Sequence, residues 1–209
     1  MKIILHELQA LIDYIQSVYS MITDEWMKTD SEKANQKKVL VSDISLDSII
    51  YSNIIEYVQL LNEKNASLML QLADACSCSV TARVKTYNSI EYKIQNYMSK
   101  SHESGKVPVQ KCVNDLFGIR VILESPLTYE EINSFVNSVY GDKYKCINSS
   151  KGDYNATHIY FKESNRAFAW ELQIWNYCDV DNNFASHKKY KQAYTTWEKE
   201  SKEGGIING

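Results

Sequence analysis

The sequence predicts an α+β fold, in which a sheet buries one face beneath helices and a helical segment precedes it. Three observations carry this prediction. Up to about residue 75 the apolar residues recur at helical spacing. Farther on, stretches such as Val113–Leu123 and Arg166–Trp175 alternate apolar and polar residues with the period of a strand. A helical pattern returns between them, at Tyr129–Tyr140. With 209 residues, 44% hydrophobic and 23% charged, the chain suits one globular domain with an appendage, and only seven Gly and two Pro argue against long linkers.

Residues 3–28 carry Ile4, Leu5, Leu8, Leu11, Ile12, Ile15, Val18, Tyr19, Ile22 and Trp26 at helical spacing. A polar break follows at 29–39, where Lys33, Lys37 and Lys38 read as a basic cluster on a solvated loop. A second helix, capped by Ser42 or Asp43, carries Ile49, Ile50, Ile54, Ile55, Val58 and Leu61. A third, opened by Asn65 or Ser67, runs through Leu68, Leu70, Leu72 and Ala75. Thr81–Ser99 opens with Arg83 and Lys85 and continues as a helix; SHESGKVPVQ (101–110) reads as an exposed loop.

The strand within 113–123 places Phe117, Ile119, Val121 and Leu123 on one face, with β-branched residues prominent. Parity then requires Asp115 to lie just before the strand, or a bulge to follow it, for its carboxylate to leave the core. Further strands are expected at 143–147, 156–162 and 166–175, and a final helix at 182–199. The last strand sends Phe168, Trp170, Leu172 and Ile174 to the core, leaving His158, Glu171 and Gln173 on an open face.

A net charge of −3 excludes a polycation built to coat nucleic acid, though not a local basic patch. The five cysteines (76, 78, 112, 146 and 178) form no CxxC pair and have no zinc spacing, so they read as reduced, mostly buried thiols of a cytoplasmic protein. Met1–Tyr19 lacks the apolar core of a signal peptide, and no run has the length of a membrane span.

Chemistry gathers in two places. Arg83, Lys85, Ser89 and Lys93 set three cations and a hydroxyl around a helix N-terminus, an arrangement suited to a polyphosphate. Asp115, at the mouth of a buried strand that also carries Arg120, marks a candidate site for a cation or a phosphate.

Four pieces thus stand in order: Arg83–Lys93 (RVKTYNSIEYK), Asp115–Arg120 (DLFGIR), Asp153–His158 (DYNATH) and Glu171–Ile174 (ELQI), followed by His187 with KKYK. Over about residues 80–195 this order resembles the RelA/SpoT family of pyrophosphokinases, specifically the short single-domain alarmone synthetases. The resemblance implies a nucleotidyltransferase-like mixed sheet backed by helices. It implies a synthetase domain over 80–200, between the N-terminal helical segment over 1–79 and a tail at 201–209 whose composition reads as flexible. It also implies an ATP-dependent transfer of the β,γ-pyrophosphate to a ribose 3′-hydroxyl, with Mg²⁺. Arg83, Lys85 and Lys93, with Ser89 beside them, would then bind ATP. Asp115 would be the main Mg²⁺ ligand, and Glu171 a second ligand or the base toward the hydroxyl. Tyr154 would stack on the acceptor base from an exposed cleft edge, with His158, Lys151 and Gln173 completing the acceptor site.

The chain departs from the family pattern at the acceptor loop. Asp153 stands where the family has Gly, Asn155 where it has Arg, Ala156 where it has Ser, and Trp175 where the ELQI segment continues with Arg. The default acceptor is GDP or GTP, giving (p)ppGpp. The alternative is a toxin, paired with an antitoxin, that pyrophosphorylates the 3′-CCA end of tRNA. Lys37, Lys38, Lys188, Lys189 and Lys191 would then meet tRNA phosphates. A non-catalytic nucleotide-binding module is the third reading. The N-terminal helices are expected to form a cap, a homo-oligomer face or a partner face.

Overall fold

The computed structural model describes residues 2–74 and 78–189. Ala75, Cys76, Lys191, the predicted last helix beyond residue 189 and the tail at 201–209 lie outside the described residues.

Helix α1 (Lys2–Met27) buries the predicted stripe from Leu8 to Trp26. The second and third predicted helices are a single helix, α2 (Ile49–Asp74). Nothing in that stretch removes a backbone donor, and neither Asn65 nor Ser67 interrupts it. Its cap is Ser48, whose Oγ accepts from the Tyr51 amide at 3.3 Å; Ser42 and Asp43 belong to a separate 3₁₀ turn, Val41–Asp43. Ile49 and Leu70, expected in the core, are exposed.

Residues at the start of the predicted 81–99 helix form a strand instead, β1 (Ser79–Val84), and Thr86 caps the helix α3 (Tyr87–Tyr97) that follows. The predicted exposed loop at 101–110 is docked at its end. The Val41 amide donates to the Val107 carbonyl, the Val109 amide to the Val39 carbonyl, and Val109 is fully buried at the start of the short α4 (Val109–Cys112).

Strand β2 (Phe117–Leu123) leads to α5 (Tyr129–Tyr140), β3 (Lys145–Asn148), β4 (Thr157–Phe161) and β5 (Trp170–Asn176); helix α6 occupies 180–189. The strands form one mixed sheet in the order β1-β2-β5-β4-β3. Only the β2–β5 pair is parallel.

One face of this sheet is apolar. Phe117, Ile119 and Val121 of β2, Ile159 and Phe161 of β4, and Trp170, Leu172 and Ile174 of β5 join a hydrophobic cluster with the buried stripes of α1 and α2. Aromatic rings centre it: Trp170 lies 4.4 Å from Phe117 and 5.5 Å from Tyr19, centroid to centroid, and its Nε1 donates to the Tyr57 hydroxyl at 2.8 Å.

Lys33 is not on a solvated face. It is buried, with its ammonium 4.8 Å from the Trp26 ring centre and donating to Thr29 Oγ1, Ser31 Oγ and the Ser31 carbonyl. The stem packs while the head ties down the 29–31 turn. The described cysteines are free thiols, but only Cys112 is buried and Cys178 is exposed. No described helix is long and apolar enough to cross a membrane.

Candidate active site

The other face of the sheet is polar, and pairing register decides which side chains meet there. One row across the strands runs Arg83, Gly118, Glu171, Tyr160; the next runs Thr81, Arg120, Gln173, His158. Paired residues point to the same face, so residues far apart in sequence become neighbours. This face is not open as the sequence suggested: His158 is 9%, Glu171 6% and Gln173 8% exposed. Buried polar groups must be partnered, and these are.

Glu171 is the centre of that network. Its Oε1 accepts from Tyr160 at 2.7 Å and from His158 Nδ1 at 2.9 Å; its Oε2 accepts from Gln173 Nε2 at 2.8 Å. Burial alone would raise its carboxyl; the His158 contact and the Tyr160 hydrogen bond outweigh burial, and its pKa falls below the ordinary value. Gln173 Oε1 accepts from Arg120 Nη2 at 3.1 Å. The Arg120 guanidinium lies 3.7 Å from the Trp175 ring centre, a cation–π stack, and 3.4 Å from His187 Nε2.

Asp115 lies in the turn ahead of β2, as the parity argument required, so its carboxylate leaves the core without a bulge. It accepts from Lys85 Nζ at 2.6 Å and Lys93 Nζ at 2.8 Å. Burial would raise the Asp115 carboxyl, but the two ammonium groups hold it well below the usual carboxylate range. Burial lowers Lys85, whereas Asp115 overcomes burial at Lys93 and raises it.

These groups line two lobes of one cleft, of about 470 and 220 Å³, that share Arg83, Asp115, Glu171 and Gln173. The larger lobe adds Lys85, Lys93, Lys151, Tyr154, His158 and His187; the smaller adds Gly118 and Arg120. Ser89 lines neither, and its hydroxyl is 2.8 Å from Thr86 Oγ1 at the N-terminus of α3. Lys37, Lys38, Lys188 and Lys189 are exposed and line neither lobe.

A family model described as a region found in RelA / SpoT proteins matches residues 82–195, more than half of the chain. The chain belongs to the RelA/SpoT family. No curated protein matches it in sequence. Among solved structures, small alarmone synthetase 2 of Bacillus subtilis is 18% identical, with 75% of this chain and 90% of that one covered at a TM-score of 0.38. Small alarmone synthetase 1 of Bacillus subtilis is 16% identical, with 75% and 95% covered at 0.37. A GTP pyrophosphokinase family protein of Streptococcus pneumoniae is 15% identical, with 79% and 94% covered at 0.37.

Tyr154 differs from its expected setting. It is half-buried, with its ring edge-on to His158, Trp175 and His187. Its hydroxyl is 3.0 Å from His158 Nε2 and receives Trp175 Nε1–H at 3.3 Å. His158 thus reaches Glu171 through Nδ1 and Tyr154 through Nε2. A hydrogen-bonded path therefore links Trp175, Tyr154, His158 and Glu171.

Sequence reasoning passed over Arg120, Tyr160, Trp175 and His187 as site residues. The alternation signal was present for Tyr160, which shares its face with His158. Alternation also sets Arg120 and Trp175 on the face away from the core, but their meeting depends on the parallel β2–β5 register, which local sequence does not show.

Among the described residues no three His, Cys, Asp or Glu side chains cluster as a metal site. Asp115 and Glu171 nonetheless line one cleft, and Mg²⁺ takes one or two carboxylates, completing its octahedron with water and substrate phosphates.

Proposed function

We propose that the protein is an ATP-dependent pyrophosphokinase that transfers the β,γ-pyrophosphate of ATP to the ribose 3′-hydroxyl of GDP or GTP, forming (p)ppGpp. One observation carries the reading. Five cations (Arg83, Lys85, Lys93, Arg120 and Lys151) face one cleft against two carboxylates, in a chain whose net charge is −3. Among the described residues, no carboxylate pairs with Arg83, Arg120 or Lys151. Such a cleft suits a polyanion.

Arg83, Lys85 and Lys93 take the ATP phosphates. Asp115 and Glu171 would hold Mg²⁺, which would neutralise charge on the phosphates. The 3′-oxygen bonds to the β-phosphorus as the bond from that phosphorus to the α,β-bridging oxygen breaks. AMP leaves, and the hydroxyl proton passes to the Glu171 carboxylate. Alignment and charge neutralisation supply most of the catalysis in this kind of transfer. Lys151, Tyr154, His158 and Gln173 receive the acceptor.

A compact cationic cleft favours a nucleotide over tRNA, which would need a basic track leading away from Tyr154. The test uses γ-labelled ATP with GDP, GTP, ADP or deacylated tRNA in turn. Label on GDP or GTP is expected. Label on tRNA alone replaces this reading with the toxin-type one; no label despite ATP binding leaves a nucleotide-binding module.

A further inference from the structure

Asn183, on α6, is fully buried and polar, and none of the roles above uses it. Both ends of its amide are committed to one residue of the acceptor loop. Its Oδ1 accepts from the Asn155 amide at 2.7 Å, and its Nδ2 donates to the Asn155 carbonyl at 2.8 Å. A side chain thus mimics a strand neighbour for a loop residue that has no ladder partner. Without it, the backbone N–H and C=O of Asn155 would lose both of these partners.

Asn155 directly follows Tyr154. Its side chain is fastened as well: Oδ1 accepts from Ser150 Oγ at 2.6 Å, and Nδ2 reaches Asp179 Oδ1 at 3.3 Å. Lys151 and Tyr154 close the turn between them with two backbone hydrogen bonds of 2.8 and 3.1 Å, around Gly152 at a φ of 60°. Asn155, at a position where the family pattern has a phosphate-reaching arginine, serves here as an attachment point.

We propose that Asn183 is a positioning residue for the acceptor subsite. It clamps the backbone beside Tyr154, so that Tyr154 and Lys151 are set before the acceptor arrives. A loop ordered in advance spares binding the cost of ordering it. The ATP side is built on β1, α3 and the turn before β2, and does not depend on the clamp. The inference rests on the proposed transfer reaction for its kinetic consequence, and on geometry alone for the clamp.

The test compares wild type with Asn183→Ala in two measurements. The first is amide hydrogen exchange by mass spectrometry, which needs no activity. Exchange in peptides covering 149–156 should accelerate about tenfold or more, with peptides covering 79–97 unchanged. The second is steady-state transfer, in which KM for the acceptor should rise about tenfold while KM for ATP stays within twofold. Unchanged exchange at 149–156 overturns the clamp. Local acceleration with an unchanged acceptor KM overturns its positioning role. Acceleration throughout the chain, with loss of ATP-analogue binding, marks Asn183 as a general fold residue and also overturns it. A wild type that labels no acceptor removes the transfer reading instead, and the exchange measurement still decides the clamp.

Discussion

The two faces of β5 are equally hidden from water and are held by different physics. Trp170, Leu172 and Ile174 point one way, Glu171, Gln173 and Trp175 the other, and none of the six is more than 8% exposed. On the first face stability comes from area and volume, and each contact substitutes in part for its neighbours. On the second, each polar group has a specific partner, and removing one strands another. Burial therefore does not identify a hydrophobic core. What distinguishes the faces is whether loss of a side chain leaves a void or an unbalanced charge.

The largest expected effect is at the carboxylate between two lysines. Asp115→Asn should lower transfer activity by roughly a thousandfold or more, because the site loses a group aligned with the charge in motion. It should also lower stability by about 3 kcal/mol, since Lys85 and Lys93 would face each other without a counter-charge. The folded carboxyl has a depressed pKa, so its stabilisation is present above the unfolded value near 4 and is lost as pH falls through the folded one. Denaturant titrations at a series of pH values should show the difference between wild type and variant shrinking below about pH 4. A constant difference down to pH 2 would contradict the assignment.

On the opposite face, Trp170→Ala should cost about 3 kcal/mol of stability through the cavity it opens and the partner lost by Tyr57. ATP-analogue affinity in the folded fraction should be retained. A large affinity loss at temperatures where the variant remains folded would mean that the two faces are not independent.

The smallest effect sharpens the contrast most. A Cβ added at Gly118 would meet nothing within 4 Å, and this glycine sits between Arg83 and Glu171 on the polar row. Its φ is not left-handed, so no backbone requirement holds glycine there. Gly118→Ala should leave the melting temperature unchanged or slightly higher, as a strand gains from losing a glycine. Activity should fall about tenfold as the methyl occupies space meant for ligand. A variant with unchanged turnover would show that ligand stays clear of this part of the floor.

Most of the sheet was legible because β2, β4 and β5 have one apolar and one largely polar face, and that alternation writes a period of two into the sequence. Strand β1 was missed for the converse reason: it lies at the sheet edge and none of its residues is fully buried, so Arg83 and Lys85 read as the start of a helix. Helix α2 was cut in two because Asn65 and Ser67 resemble caps wherever they occur. Asp115, Glu171 and His158, which line the cleft, were singled out from parity and motif order. Arg120 was seen as an oddity but given no role, and the free ring expected of Tyr154 proved to be flanked by three aromatic residues. Neither follows from local sequence, because both depend on how distant strands are paired.

Gln173 has a consequence for how such a cleft keeps its charges apart. Arg120 and Glu171 carry opposite charges two residues apart on the sheet register, and their natural fate is to find each other and cancel. The neutral amide of Gln173 occupies the gap, offering its nitrogen to the carboxylate and its oxygen to the guanidinium. It acts as an insulator. Each charge is solvated by a dipole rather than consumed by its opposite, and the field of the cleft is conserved for an incoming ligand.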